Sequence, residues 1–290
     1  MDYHKDKFVD CSLMVFKNDK LIAVLPANEE NTIVHSHQGL TYGGLVLSKS
    51  IKFELVLEAF KAVLKFLNEQ DYETLILKQL PSLYTLFPSE EIEYLMFVLN
   101  AKLFRKDMLS VIDLNERLKI SKNRIEGFKR AEKKGLKIVE ESTCDLFWNE
   151  ILIKNLKEKH NVKPVHSLEE INLLKKHFPK NIRQFNVYHK DKIVAGTTVF
   201  ETKTVAHSQY ISGDEDKNQL GSLDFLHIHL INTIFKKKKF FDFGISNENQ
   251  GRQINEGLLF WKEGFGARSI IQEFYEVKTE NYKKLDTIFI

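Results

Sequence analysis

Three stretches of the chain carry the residue types most able to do chemistry. Between Arg117 and Lys137 nine Lys/Arg stand against two Glu, a local charge of +7. Within that run Lys122, Arg124, Lys129 and Arg130 could neutralise the phosphates of a tRNA or of a nucleotide-sugar diphosphate. Glu126 and Glu132 interrupt it, so a solvated helix face is the competing reading. The second stretch, "ISNENQGRQINEG", sets Asn247, Asn249, Gln250 and Gln253 around one guanidinium, Arg252, which could grip a carboxylate or phosphate by two parallel N–H bonds. An exposed polar loop accounts for the same composition. The third, "VAHSQYISG", holds His207 and Tyr210, either of which could take the proton of an attacking amine if its pKa suited the task. Alternation along a strand would turn them to opposite faces, so only one could meet a substrate. An internally bonded structural side chain competes with both, and Tyr275 is a weaker candidate of the same kind.

The totals limit what these residues can be doing. Forty-three basic and 40 acidic side chains leave a net charge of +3, too little to imply a nucleic-acid partner for the whole chain and no ground for DNA. An apolar share of 43% with 22 Phe supports a packed core and excludes a disordered tail. Cys11 and Cys144 lack CxxC or Cys/His spacing, so neither a metal site nor a disulfide framework is indicated and a reducing compartment fits. The first residues lack the apolar stretch of a signal peptide, and no apolar run approaches the ~20 residues of a membrane helix. A cytoplasmic protein without a transmembrane segment is the expectation. Oligomeric state has no signature here.

The elements that must position these residues are written twice. "VFKNDKLIAV" from Val15 and "VYHKDKIVAG" from Val187 match at Val15/Val187, Phe16/Tyr188, Asp19/Asp191, Lys20/Lys192 and Ala23/Ala195. The same offset carries His35-Ser36 onto His207-Ser208, where a third strand should run beside each hairpin. Each copy has apolar β-favouring runs around a polar turn, the pattern of a hairpin with differently packed faces. A helical run follows in both, from Lys52 and from Ser222. In the first, Phe53, Val56, Leu57, Phe60, Val63, Leu64 and Leu67 recur at steps of three and four. Short strands, "ETLILKQL" and "FFDFGISN", close the copies. Continuation of the element order favours a tandem duplication over a chance hairpin match.

Between the copies, a helix should start after Ser121 and end at Gly135, where a left-handed residue costs little. Thr143 should open a second helix, and Ser167 with Glu170 makes a capping box for a third. The expected organisation is a truncated first domain over 1–116, a basic connecting helix over 117–134 and a complete second domain over 135–290.

Strand, two helices, three antiparallel strands, helix, strand, helix and terminal strands is the order of the GNAT acyltransferase fold. The ending "FDFGISNENQGRQINEGLLFWKEGFGARSIIQEFYEV" resembles the Fem-like branch of that superfamily, in which two GNAT domains stand in tandem, at Asp242, Gly244, Gly257, Lys262, Phe265 and Gly266. The resemblance implies an α+β protein of two tandem GNAT-like domains, each a mixed, mostly antiparallel sheet flanked by helices, the first without its opening elements. It also implies an acyl or aminoacyl transferase that forms an amide on a small-molecule or glycopeptide amine acceptor in cell-envelope or surface-glycan metabolism. No tightly bound cofactor is implied; acyl-CoA or aminoacyl-tRNA would be the co-substrate.

Residue by residue, the resemblance makes Lys262 the first catalytic candidate, offsetting negative charge near the reacting carbonyl. A solvated lysine favouring the dipole of a helix C-terminus is the alternative. His207 and Tyr210 fall on the strand that lines the acyl site, and Trp261 stands where the family usually has Phe. Trp261, Arg252, Asn247, Arg124 and Arg130 are the substrate-binding candidates. Gly221 and Ser222 open the helix where acetyl-CoA-binding relatives cradle the pyrophosphate, and backbone amides there can bind an anion. The family's glycine-rich pattern is missing, however, and Asp214, Glu215, Asp216 and Asp224 would repel a diphosphate, which weakens acetyl-CoA as donor. The rival function is a non-catalytic double-GNAT module that binds a nucleotide-sugar or sugar-peptide.

Overall fold

The repeated ten-residue stretch folds into the same bulged hairpin twice, once in each of two compact units. The computed structural model describes residue 4 and residues 6–290. Unit 1 takes the described part of Met1–Asp107 with Asn249–Arg252 and Ile271–Ile290, and unit 2 takes Met108–Glu248 with Gln253–Ile270. These units differ from the expected ranges 1–116, 117–134 and 135–290. The basic helix belongs to unit 2 because Ala131 is buried in that unit's core, and residues 271–290 belong to unit 1 because Val277 and Leu285 are buried in the other.

Unit 1 runs through β1 (Val9–Asp10), β2 (Leu13–Lys17), β3 (Lys20–Leu25), β4 (Asn28–Glu30), β5 (Ile33–His35), β6 (Val46–Leu47), α1 (Phe53–Glu69), β7 (Thr74–Lys78), α2 (Glu91–Val98) and the first half of β8 (Lys102–Asp113). Among the described residues no helix pair precedes its hairpin. Unit 2 continues β8 and adds α3 (Lys122–Lys133), β9 (Lys137–Glu141), α4 (Asp145–Phe147), a π-helical turn over Trp148–Leu152 and α5 (Ile153–His160). Then come α6 (Leu168–His177), β10 (Ile182–His189), β11 (Lys192–Glu201), β12 (Val205–Gly213), α7 (Lys217–Leu220) and α8 (Ser222–His229). Last are β13 (Phe240–Ile245), β14 (Asn247–Glu248), β15 (Gln253–Ile254), α9 (Glu256–Glu263) and β16 (Arg268–Lys278), whose later residues return to unit 1.

Register shows how closely the halves repeat. Val15 pairs with Ala23 and Phe16 with Leu21; Val187 pairs with Ala195 and Tyr188 with Ile193, so both hairpins carry the bulge at the same place. Further out, Asn28 faces His35 as Phe200 faces His207. The helix that follows turns the next strand parallel: β5 pairs with β7, and β12 with β13. Unit 2 keeps these strands whole, in the order β8-β13-β12-β11-β10-β9. In unit 1 the strand corresponding to β11 is broken at Pro26, which has no N–H for the ladder, into β3 and β4.

A second difference lies in the third strand. Leu47 faces Ala23 from 24 residues along the chain, whereas Gly213 faces Ala195 from 18 residues along, so unit 1 carries six additional residues there. They fall within the loop over residues 36–45, so the expected third strand is split between β5 and β6. This loop packs into its own unit: Lys78 Nζ donates to the Leu40 carbonyl at 2.7 Å, and a side chain at Gly43 would run into the Ser36 carbonyl. Around it, Val56, Leu57, Phe60, Val63, Leu64 and Leu67 of α1 are buried as their spacing predicts.

Helices cover both faces of the unit 2 sheet. Phe241, Phe243 and Val199 pack with Leu226, Leu230 and Phe265 on one face, and Tyr210, Ile182 and Ile193 pack with Phe147, Trp148 and Ile151 on the other. The predicted capping box at Ser167 and Glu170 opens α6. Gly135 ends α3 at φ +72°. Ser121 is the N-cap of α3 without a side-chain bond, and the helix expected from Thr143 begins at Asp145 with Cys144 as its N-cap. Lys236–Lys239 fall beyond the helical turns that follow α8.

Candidate active site

Unit 2 contains a cavity of about 770 Å³ at the C-terminal end of β12. Its floor is Ile211, Ser212 and Gly213; α3 contributes Asn123, Arg124, Glu126 and Arg130; α5 contributes Asn155 and Leu156; α8 contributes Leu223 and Asp224. The start of α9 closes it with Asn255, Gly257, Leu258, Phe260 and Trp261. The opening follows from the register. The parallel pairing of β12 with β13 covers only Val205 to His207, and beyond it β12 runs on to Gly213 paired with β11 alone. Beyond the splay, Asn155 Nδ2 bonds Ser212 Oγ and the Gly213 carbonyl, each at 2.8 Å, and holds the strand end.

Of the sequence candidates, Arg124, Arg130 and Trp261 line this cavity. Trp261 Nε1 donates to Asp224 Oδ1 at 3.1 Å, and Arg124 Nη1 donates to the same oxygen at 2.7 Å. Arg130 Nη2 donates to the Asn218 carbonyl at 3.0 Å, tying α3 to α7. Lys122 and Lys129 are exposed and stand outside the lining.

Lys262, His207 and Tyr210 are elsewhere. Lys262 is 2% exposed; its Nζ donates to the Ile245 carbonyl at 2.6 Å and to the Gly244 carbonyl at 3.1 Å. It is therefore not a solvated lysine. Burial lowers its pKa to about 8, opposed by the Asp242 carboxylate. His207 Nδ1 lies 2.9 Å from Asp242 Oδ2, and Asp242 Oδ1 accepts the Gly244 N–H at 2.7 Å. The Tyr210 hydroxyl lies 2.6 Å from His166 Nδ1, and its ring meets Trp148 edge-on at 4.8 Å. The opposite-face expectation for His207 and Tyr210 fails. A register shift sets Ser208 opposite Val199 and Tyr210 opposite Thr198, so the extra residue returns Tyr210 to the face of His207. Ser208, on the other face, reaches His227 at 3.3 Å.

The remaining candidates also lie outside the cavity. Asn247 Oδ1 accepts the Met108 N–H at 2.6 Å, and Arg252 is an exposed residue of unit 1 beside a separate cleft of about 250 Å³ with Arg105 and Gln250. Tyr275 is in unit 1, where burial and the Glu273 carboxylate push its hydroxyl pKa up. At the start of α8, Gly221 has φ +73°, and a side chain there would strike the Gly127 carbonyl of α3. Ser222 is fully buried with its hydroxyl unpartnered. The helix start is thus packed against α3.

Asp224 is the residue that sequence reasoning undervalued, weighing it only as a repulsive charge. Burial raises its pKa, and Arg124 opposes that shift. The available signal was helical spacing: Asp224 shares a stripe with His227, Ile228 and Ile231, all buried, so a carboxylate there had to be internal.

The chain superposes on FemX with a TM-score of 0.64 at 10% identity, covering 98% of this chain and 92% of that one. It superposes on L-PGS from Bacillus licheniformis with a TM-score of 0.62 at 14% identity, covering 92% and 84% of the two chains. The chain has the Fem-like tandem GNAT fold. The C-terminal domain of a putative lysylphosphatidylglycerol synthetase from Agrobacterium fabrum shares this Fem-like architecture, with a TM-score of 0.61 at 12% identity over 91% of this chain and 83% of that one. No protein-family model matches the sequence, and no curated protein matches it significantly. Among the described residues of this chain, no helix is long and apolar enough to cross a membrane.

Proposed function

We propose that unit 2 is the transferase half of the protein, moving an acyl or aminoacyl group onto an amine acceptor in cell-envelope or surface-glycan metabolism. The observation that carries this reading is the cavity at the splayed end of β12, bordered by a stretch of that strand unpaired on its β13 side. Such groups can hold a donor carbonyl and stabilise the oxyanion that develops on it. The shared fold with FemX and L-PGS supports the reaction class. An aminoacyl ester is favoured over acyl-CoA as donor, because Gly127 packs against the start of α8 and Asp224 places a carboxylate in its first turn.

The test uses Gly257. A Cβ there meets only Asn255 Oδ1, at 3.9 Å, so Gly257→Leu should fill the cavity mouth and leave the fold intact. With radiolabelled aminoacyl-tRNA or acyl-CoA and a panel of amines, the wild-type chain should form an amide product and this variant should not. Equal product from both would remove the cavity as the site.

One observation favours a binding module instead: Lys262, His207 and Tyr210 all bond internally, and none lines the cavity. Ligands that raise the melting temperature without turnover of any amine would decide for it.

A further inference from the structure

The cavity wall contains an incomplete ion pair. Arg124 Nη1 meets Asp224 Oδ1 at 2.7 Å, and Trp261 Nε1 meets that same oxygen at 3.1 Å. Among the described residues Asp224 Oδ2 accepts no hydrogen bond, and neither Nε nor Nη2 of Arg124 donates one. Two other arginine–carboxylate pairs among the described residues are closed, whereas Arg183 also reaches Glu201 through one bond at 3.1 Å. Arg105 bonds both oxygens of Asp107, at 2.9 and 2.6 Å, and Arg183 bonds both oxygens of Glu140, at 2.7 and 2.8 Å. A guanidinium and a carboxylate match as parallel forks, and a pair that forgoes the match leaves a carboxylate oxygen and two guanidinium nitrogens open to another partner. The Arg124 and Asp224 side chains are 18% and 9% exposed.

The backbone is shaped around this arrangement. Asp224 Oδ2 lies against Gly127, where any Cβ would overlap it, so the absence of a side chain on α3 is what admits the carboxylate. Three helices, α3, α8 and α9, each supply one member of the Arg124, Asp224 and Trp261 set, and all three residues line the cavity. Nearby Leu223 and Leu258 offer apolar contact.

We propose that this open pair is a subsite for a zwitterion, with the ligand's ammonium on Asp224 Oδ2 and its adjacent anion on the free N–H groups of Arg124. The chemistry is that of an α-amino acid, whose ammonium and carboxylate flank one carbon, or of an ethanolamine phosphate headgroup. Ligand insertion completes both halves of the pair, so each ligand charge gains a charge-assisted hydrogen bond in a sheltered place. That the zwitterion is the amine acceptor rests on the transferase reading; its binding does not.

Isothermal titration calorimetry of the full chain tests the subsite with four probes: L-leucine, N-acetyl-L-leucine, L-leucinamide and O-phosphoethanolamine. L-Leucine should bind, and loss of either charge should weaken binding at least tenfold. Binding of O-phosphoethanolamine above that of L-leucine would assign the headgroup source. Asp224→Asn keeps an acceptor for Arg124 and Trp261, and should erase the preference for L-leucine over its N-acetyl form. Arg124→Gln should erase the preference over the amide. Equal binding of charged and neutralised probes, or no binding to a folded wild-type chain, would overturn the subsite. Binding with the expected preferences but without amide formation in the transfer assay would remove the transferase reading and leave the subsite standing.

Discussion

The Lys262 ammonium sits 2.6 Å from the Ile245 carbonyl oxygen, beneath the end of β13 and outside the cavity lining. It also bonds the Gly244 carbonyl, at the residue whose φ of +69° turns the strand out of its ladder. This lysine therefore holds the strand end, whatever else it does. Lys262→Ala should cost about 2–4 kcal/mol, from the void and from two carbonyls left unpaired. Urea denaturation at pH 7 measures it, and unchanged stability would refute the tie.

The same lysine gives a pH dependence of definite sign. Its pKa is lowered to about 8 from 10.5, so between those values the unfolded chain holds the extra proton and stability rises with pH. The gain is complete above 10.5 and lost as pH falls through about 8. Lys262→Met should lack this rise relative to wild type, with a difference of about 3 kcal/mol between the two ends of the window. Denaturation midpoints measured across it would show parallel curves if the ammonium were not desolvated.

His227 is fully buried between the two halves of its hydrogen-bonding capacity. Nδ1 lies 2.9 Å from the Leu223 carbonyl and donates to it, so Nε2, at 3.3 Å from Ser208 Oγ, is the acceptor. Burial lowers its pKa to about 4 from 6.5. The neutral ring thus stabilises the fold above 6.5, and that contribution disappears as pH falls towards about 4. His227→Phe should unfold less steeply with acid over this window. Nitrogen chemical shifts of a protonated ring at pH 6 would contradict the assignment.

Gly221 takes φ +73° with the Gly127 carbonyl against its α-carbon. Gly221→Ala should lower stability by about 2 kcal/mol or more, because both the backbone conformation and the helix contact oppose a methyl group. Gly257→Ala, with open space around its α-carbon, is the control and should change stability little. Equal melting temperatures for the two variants would show that α3 does not pack so closely on α8.

The Tyr210 hydroxyl and the His166 ring satisfy each other away from solvent. Tyr210→Phe should cost about 1 kcal/mol by removing the hydroxyl that bonds His166. Its chemical denaturation curve checks this.

The repeated hairpins, the helix at Phe53–Glu69, the capping box of α6 and the left-handed Gly135 were all legible from the chain, because each depends on side-chain period or on a few neighbouring backbone angles. The candidate site was legible only in part. Arg124, Arg130 and Trp261 line the cavity, yet no local pattern separates a residue facing it from Lys262, one position from Trp261, which turns under β13 instead. Nor does strand alternation survive a bulge: one extra residue in β12 brought Tyr210 to the face of His207.

By itself, then, the sequence determined which segments become strands and helices and that the hairpin occurs twice, since periodicity and turn chemistry act over a few residues. Tertiary structure alone decided that the third strand of unit 1 is interrupted by a six-residue excess while that of unit 2 runs whole into a cavity. It alone decided, too, that Arg124 and Asp224, a hundred positions apart, share a single hydrogen bond. Those outcomes depend on which distant groups are desolvated together, and neither propensity nor spacing carries that information.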